Sequence, residues 1–277
     1  MGCACLNSKK PFEVVIDNVF ATITVRKLTF DQILPRLEEL EEAKVSPSSG
    51  TGSGSNSTPN TPQLNYITET NFQKFLNKYL LSDTLPGYNR SLFAYWMDVY
   101  HSKPSKSQLP LIKFALLCLC KSNSETDGPS IEDFNYFSSI LSFYKQYRTL
   151  SKEDINGNNF TTVDDAFTLL KDYISIISQL TVEHLKYFDP LPQDFRESLT
   201  SLWTEENIND FVKTNYFSKI ESFSAKIEVR KFVKKNWKLL KDDALIRKKL
   251  SDFSFGANRN KEDSISLSET DPKKITD

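Results

Sequence analysis

The chain has 277 residues, 39% hydrophobic and 26% charged, which is the balance of a folded globular protein and enough length for one large domain or two small ones. A net charge of −1 excludes broad attraction to nucleic acid. Eight glycines in the whole chain argue against phosphate-cradling loops and tightly turned β architectures, while 20 phenylalanines can supply a large aromatic core.

The first ten residues read Met-Gly-Cys-Ala-Cys-Leu-Asn-Ser-Lys-Lys. Removal of Met1 exposes the α-amine of Gly2, an acceptor for myristate. One myristoyl chain binds membrane only marginally, so stable anchoring needs a second signal. Cys3 and Cys5 offer neighbouring thiols for palmitate, and Lys9 and Lys10 add attraction to anionic lipid. This start resembles the dual-acylation signal of membrane-tethered signalling proteins, with Leu6 standing where Ser or Thr is usual and Ser8 two residues later. No apolar stretch follows Met1 as in a secretory signal, and the longest apolar run, Phe114 to Cys120, falls far short of the ~18 residues of a spanning helix. Membrane contact is therefore expected from attached lipid or from a surface helix. Cys118 and Cys120 lack the spacing of a zinc or redox motif and fit a reducing compartment.

In residues 11–45, Phe12–Ile16 and Ala21–Val25 are candidate short strands. A helix is then predicted in which Thr29 caps and Ile33, Leu37 and Leu40 recur at helical spacing, provided that Pro35 falls in the first turn. Residues 46–63 carry no apolar residue to bury and are expected to be a disordered insert. Ser46, Thr58 and Thr61 precede proline, which leaves phosphorylation or a plain flexible loop open.

From Ile67 the pattern is helical. Thr68 is expected to cap a helix through Phe72, Phe75, Leu76 and Tyr79, followed by one with Leu92, Trp96, Val99 and Tyr100 on one face. Further helices are predicted over 111–121, 131–147, 163–179, 182–187, 195–203, 207–217 and 229–250. The last 27 residues, 251–277, are polar and expected to be disordered.

A phrase of aliphatic, cap, polar and apolar residues recurs: Leu28-Thr-Phe-Asp-Gln-Ile33, Ile67-Thr-Glu-Thr-Asn-Phe72, Leu109-Pro-Leu-Ile-Lys-Phe114 and Ile131-Glu-Asp-Phe-Asn-Tyr136. It resembles the second half of an EF-hand loop and the start of its exiting helix. The resemblance implies an array of paired helix-loop-helix units over residues 11–140. The twelfth loop positions would be Gln32, Asn71, Lys113 and Asn135, none of them the acid that calcium needs, so no calcium is expected there. Together with the acylation signal, the pattern is similar to the N-terminal half of lipid-modified TLDc-domain proteins. Asp154–Asp165 places Asp154, Asn156, Asn158 and Asp165 at ligand spacing. The favoured alternative is an Asn/Gly loop before a helix capped by Thr161 or Thr162.

Residues 228–250 combine a basic face (Arg230, Lys231, Lys234, Lys235, Lys238, Lys241, Arg247, Lys248, Lys249) with an apolar one (Val229, Phe232, Val233, Trp237, Leu240). Such a helix lies on anionic lipid or docks in a partner's groove; the ordinary alternative buries the apolar stripe in the core and leaves the lysines solvated. Lys9, Lys10, Arg230, Lys231, Lys234, Lys235, Trp237 and Lys238 are therefore the candidate membrane- or partner-binding residues.

No catalytic constellation, metal-ligand set or cofactor motif stands out. His101 and His184 are isolated, and Cys118 and Cys120 sit in an apolar helix as structural thiols would. The expectation is an all-α, multi-helix protein: lipid anchor 1–10, EF-hand-like region 11–140, additional helices 141–250 and tail 251–277. Its expected role is that of a non-enzymatic adaptor or regulator on the cytoplasmic face of a membrane, the plasma membrane being the first candidate, with a protein partner and neither nucleic acid nor calcium. The alternatives are a calcium sensor with one site at 154–165 and a helical GTPase regulator, whose aromatic helix Phe93–Tyr100 is similar to.

Overall fold

The computed structural model of the chain describes residues 28–41, 67–81, 86–120, 128–149, 160–186, 193–218, 222 and 224–268. Over these residues the protein is all-α. Its helices are α1 (Phe30–Glu41), α2 (Glu69–Tyr79), α3 (Pro86–His101), α4 (Ser105–Cys118), α5 (Ile131–Thr149), α6 (Val163–Leu185), α7 (Gln193–Leu202), α8 (Glu205–Tyr216), α9 (Val229–Leu240) and α10 (Asp243–Ser268). Strands β1 (Phe160–Thr162) and β2 (Lys226–Glu228) pair in a two-stranded sheet. The lipid-anchor segment, the candidate strands at 12–16 and 21–25 and the insert 46–63 lie outside the described residues.

The chain divides into two compact units. Of the described residues, the first holds those within 26–161 and 226–237, the second those within 162–225 and 238–268. The domain boundary expected at residue 140 falls inside α5; the chain crosses between units at Thr161–Thr162 instead, where α6 begins.

The first unit is built around α4, which packs chiefly on α5 and also on α1 and α3. Ser107, Leu109 and every residue from Leu111 to Cys120 are buried, as expected of a helix that is apolar on all sides. The sequence pattern started this helix at Leu111, but it starts at Ser105 and accommodates Pro110 in its second turn. Ser107 donates its hydroxyl to the Pro104 carbonyl at 3.1 Å. The twelve-residue loop expected to end at Lys113 is therefore not formed: Ser105–Lys113 is helical, and the Lys113 side chain is buried within α4. In the first two of the recurring phrases the helices start at Phe30 and Glu69, two residues after Leu28 and Ile67. In the fourth the helix starts at Ile131 itself.

Helix α1 buries Phe30, Ile33, Leu37 and Leu40, and the Gln32 side chain accepts from the Thr29 N–H at 2.9 Å, half of a capping box. Pro35 falls in the second turn of α1, not the first, and the helix runs on past it. Helix α2 is capped as expected, Thr68 Oγ1 accepting from the Asn71 N–H at 3.3 Å. Tyr79 donates to the Glu39 carboxylate, Lys78 pairs with Glu39 at 3.2 Å, and the Arg36 guanidinium lies 4.2 Å from the Tyr79 ring centroid, fastening α2 to α1.

In the second unit α6 packs on α7 and α8, and α10 packs on all three. Thr162 Oγ1 caps α6 by accepting from the Asp165 N–H at 3.1 Å, and Asp164 and Asp165 sit in the first turn, where the helix dipole favours them. The two helices expected over 163–179 and 182–187 are one continuous helix to Leu185. The single helix expected over 229–250 is two. It breaks at Lys241–Asp242, and Asp242 Oδ1 restarts the chain by accepting from the Leu245 N–H at 3.1 Å. The tail expected from residue 251 is also corrected, because α10 continues to Ser268. Ser251 and Ser254 are buried, and the Phe253 ring meets Phe211 edge-on at 5.7 Å. A polar residue on a helix reads as solvent-facing, yet serine is small enough to let helices approach closely.

Candidate functional site

Helix α9 carries the basic stretch singled out in the sequence. Its 3.6-residue period sends Val229, Phe232, Val233, Asn236, Trp237 and Leu240 inward and leaves Arg230, Lys231, Lys234, Lys235 and Lys238 exposed. Asn236 is tolerated among the apolar side chains because its amide donates to the Phe232 carbonyl at 3.0 Å. Phe232 packs on Phe137 of α5 with centroids 6.1 Å apart. Trp237 is 2% exposed, and its indole Nε1 meets no hydrogen-bond partner. This corrects the expectation that Trp237 faces membrane or partner: the ring belongs to the core, and the apolar stripe of α9 is consumed there.

Among its described side chains, what α9 offers outward is charge. Lys231 pairs with Glu228 at 2.8 Å, and that hydrogen bond raises its pKa, so it stays cationic. The Arg230 guanidinium lies 5.7 Å from the Phe134 ring centroid. Lys234 and Lys235 project from the following turn, and exposed Lys226 in β2 extends the set, a residue that the helical pattern alone passed over. These five cations belong to the first unit; Lys238 falls in the second. Gly2, Cys3, Cys5, Lys9 and Lys10 lie outside the described residues. No helix among the described residues is long and apolar enough to cross a membrane.

The second unit contains a groove of about 390 Å³. One wall is a stripe of α6: Lys171, Asp172, Ser175, Ser178, Gln179, Val182 and Glu183. The facing wall is Thr200 and Trp203 at the end of α7, with Glu205 and Ile208 at the start of α8. Thr204 Oγ1 fixes that start by accepting from the Asn207 N–H at 3.2 Å, and the Asn207 amide donates back to the Leu202 carbonyl at 2.8 Å. Lys171 reaches across the groove to Glu205 at 3.2 Å, and Glu183 pairs with Lys186 one turn along α6. Trp203 spends its indole N–H on Ser251 Oγ at 3.3 Å, so its contribution to the groove is carbon surface. Sequence reasoning missed this site. Its one signal is the serine that interrupts the buried run Ile174, Ile177, Leu180.

The other candidates resolve locally. Of Asp154–Asp165, residues 154–159 lie outside the described set, Phe160–Thr162 is a strand, and Asp165 stands in the capped first turn of α6. In Phe93–Tyr100 the side chains of Tyr95, Trp96 and Tyr100 are buried, and Tyr100 donates its hydroxyl to the Ile67 carbonyl at 3.0 Å. Cys118 and Cys120 are buried free thiols, Cys120 Sγ lying 3.2 Å from the Leu116 carbonyl. His184 is buried on α6. No protein-family model, curated protein or solved structure matches the chain.

Proposed function

We propose that the chain is a non-enzymatic adaptor or regulator held on the cytoplasmic face of a membrane by acyl groups on Gly2 and Cys3, with Cys5 and the cations Lys9 and Lys10 adding to the hold. The observation that supports this reading is the outward face of α9, where Arg230, Lys231, Lys234 and Lys235 are all exposed on a helix whose apolar side is already buried. A myristoyl group alone gives a binding constant of about 10⁴ M⁻¹. Each lysine or arginine at an anionic surface adds about 1 kcal/mol, so four cations on one rigid face make a strong second contact without insertion. The protein partner of such an adaptor would be recruited by the helical body. The first two recurring phrases, at Leu28 and Ile67, fit calcium-free descendants of EF-hand exiting helices.

The test is co-sedimentation of acylated protein with vesicles containing phosphatidylserine. Lys234→Glu with Lys235→Glu should cut binding at least tenfold at low salt while leaving the melting temperature near that of the wild type. High salt should have the same effect on the wild type. Binding as tight as that of the wild type by the charge-reversed protein, or full membrane fractionation of a Gly2→Ala, Cys3→Ser protein in cells, refutes the reading.

A further inference from the structure

The lining of the groove in the second unit carries more acid than base. Asp172, Glu183 and Glu205 supply three carboxylates to its lining and Lys171 one ammonium, with Glu205 paired to Lys171 and Glu183 to Lys186 beside the groove. Gln179, Thr200, Ser175 and Ser178 add groups that both donate and accept, the Gln179 amide donating to Ser175 Oγ at 3.2 Å. The only indole donor nearby is already turned to Ser251.

Ser178 is the second and independent observation. It is 3% exposed, lines the groove, and its Oγ has no hydrogen-bond partner. A hydroxyl in mid-helix ordinarily bonds to the carbonyl four residues back, as Thr181 does to Ile177 at 2.7 Å. Ser178 makes no such bond, so a buried hydroxyl stands unsatisfied in a residue of the groove lining.

A volume of about 390 Å³ sits at the small end of ligand pockets. Val182, Ile208 and the carbon surface of Trp203 give it an apolar stretch of wall beside the oxygens. A primary ammonium has three donors and no acceptor, and a short alkyl stem needs an apolar wall. We propose that this groove is a binding site for a small aliphatic amine, whose ammonium is held by the groove carboxylates and Ser178 and whose alkyl stem lies along Val182, Ile208 and Trp203. The inference does not depend on the membrane reading.

Putrescine is the probe, titrated into the full chain while the methyl resonances of Val182 and Ile208 are followed by NMR. Nα-acetyl-lysine methylamide stands for a lysine offered by a protein, and 1,4-butanediol for the uncharged stem. Saturable shifts of both methyl groups are expected with putrescine at submillimolar Kd and none with the diol. Asp172→Asn with Glu183→Gln should weaken binding at least tenfold. Ser178→Ala should weaken it several-fold while raising the melting temperature of the free protein, because the unsatisfied hydroxyl is gone. A variant that only perturbed the helix would lower both. Absence of saturable shifts, equal binding of the diol, undiminished binding by the Asp172→Asn, Glu183→Gln protein, or binding of the acetyl-lysine amide alone each overturns the assignment.

Discussion

The ammonium of Lys113 lies 5.0 Å from the centroid of the Phe143 ring, inside a helix buried on every side. Burial pushes its pKa down from 10.5 to about 8, and Glu38 on α1 pulls weakly the other way. At neutral pH the folded chain thus holds a cation where it is disfavoured, while the unfolded chain holds it freely.

The sign of the linkage follows. Between pH 8 and 10.5 the unfolded chain binds a proton that the folded chain has released, so the Lys113 contribution to stability rises with pH across that window. Below pH 8 its penalty is present in full, on the order of 3 kcal/mol at most. Lys113→Met, which keeps the length and apolar stem, should stabilise the protein by about 1–3 kcal/mol at pH 7. Urea unfolding of both proteins at several pH values checks this: the gap should close as pH approaches 10.5. A gap that stays constant with pH would show that packing, not charge, separates them.

Trp237 and Lys234 are three residues apart on α9 and should fail in different ways. Trp237→Ala removes a core ring and should cost about 3–5 kcal/mol, seen as early unfolding in urea. Lys234→Glu should leave the unfolding midpoint almost unchanged and weaken binding to anionic vesicles. If Trp237→Ala folds as stably as wild type, the ring is not the core element that its 2% exposure indicates.

The two threonine caps of the second unit make a matched pair. Thr162→Ala and Thr204→Ala each remove an acceptor from the first turn of a helix and should each cost about 1 kcal/mol in thermal or urea unfolding. Thr204→Ala carries an added effect, because it loosens the turn that sets Glu205 and Ile208 against α6. It should broaden the Ile208 methyl resonance, whereas Thr162→Ala should leave that signal unchanged.

Where sequence and structure part, the reason lies in what a linear pattern records. Helical spacing placed α1, α2 and α5, identified Thr68 as a cap and left Thr161 or Thr162 for the next, of which Thr162 is the one that caps, because capping and amphipathic burial are local. It split α6 near Leu180, although Leu180 and Thr181 are both buried and the helix passes through them. It ran α9 into α10, because a stop at Lys241 with an aspartate restart leaves no glycine or proline as a mark. The basic face of α9 was legible for the same local reason, whereas the burial of Trp237 depends on α9 finding a core. The groove was not legible at all, because its two walls lie on separate helices and its defining feature is a hydrogen bond that Ser178 does not make.

Tyr136 gives the most local test of how the first unit is closed. Its hydroxyl donates to the Leu117 carbonyl at 2.8 Å and lies 3.2 Å from the Cys120 carbonyl, at the end of α4, while its ring meets Phe30 of α1 at 5.4 Å. The last carbonyls of a helix have no partner within it, and here the end is buried away from water. Tyr136→Phe keeps the ring contact and removes the donor, so it should cost about 1–2 kcal/mol. Tyr136→Leu loses the aromatic contact as well and should cost more. Amide hydrogen exchange separates the two contributions: in Tyr136→Phe, protection should fall first at Leu119 and Cys120, whose N–H groups bond back to Leu116 and Leu117 at 3.2 and 3.1 Å. Loss of protection spread evenly over α4 would mean that the hydroxyl supports the whole helix and not its end.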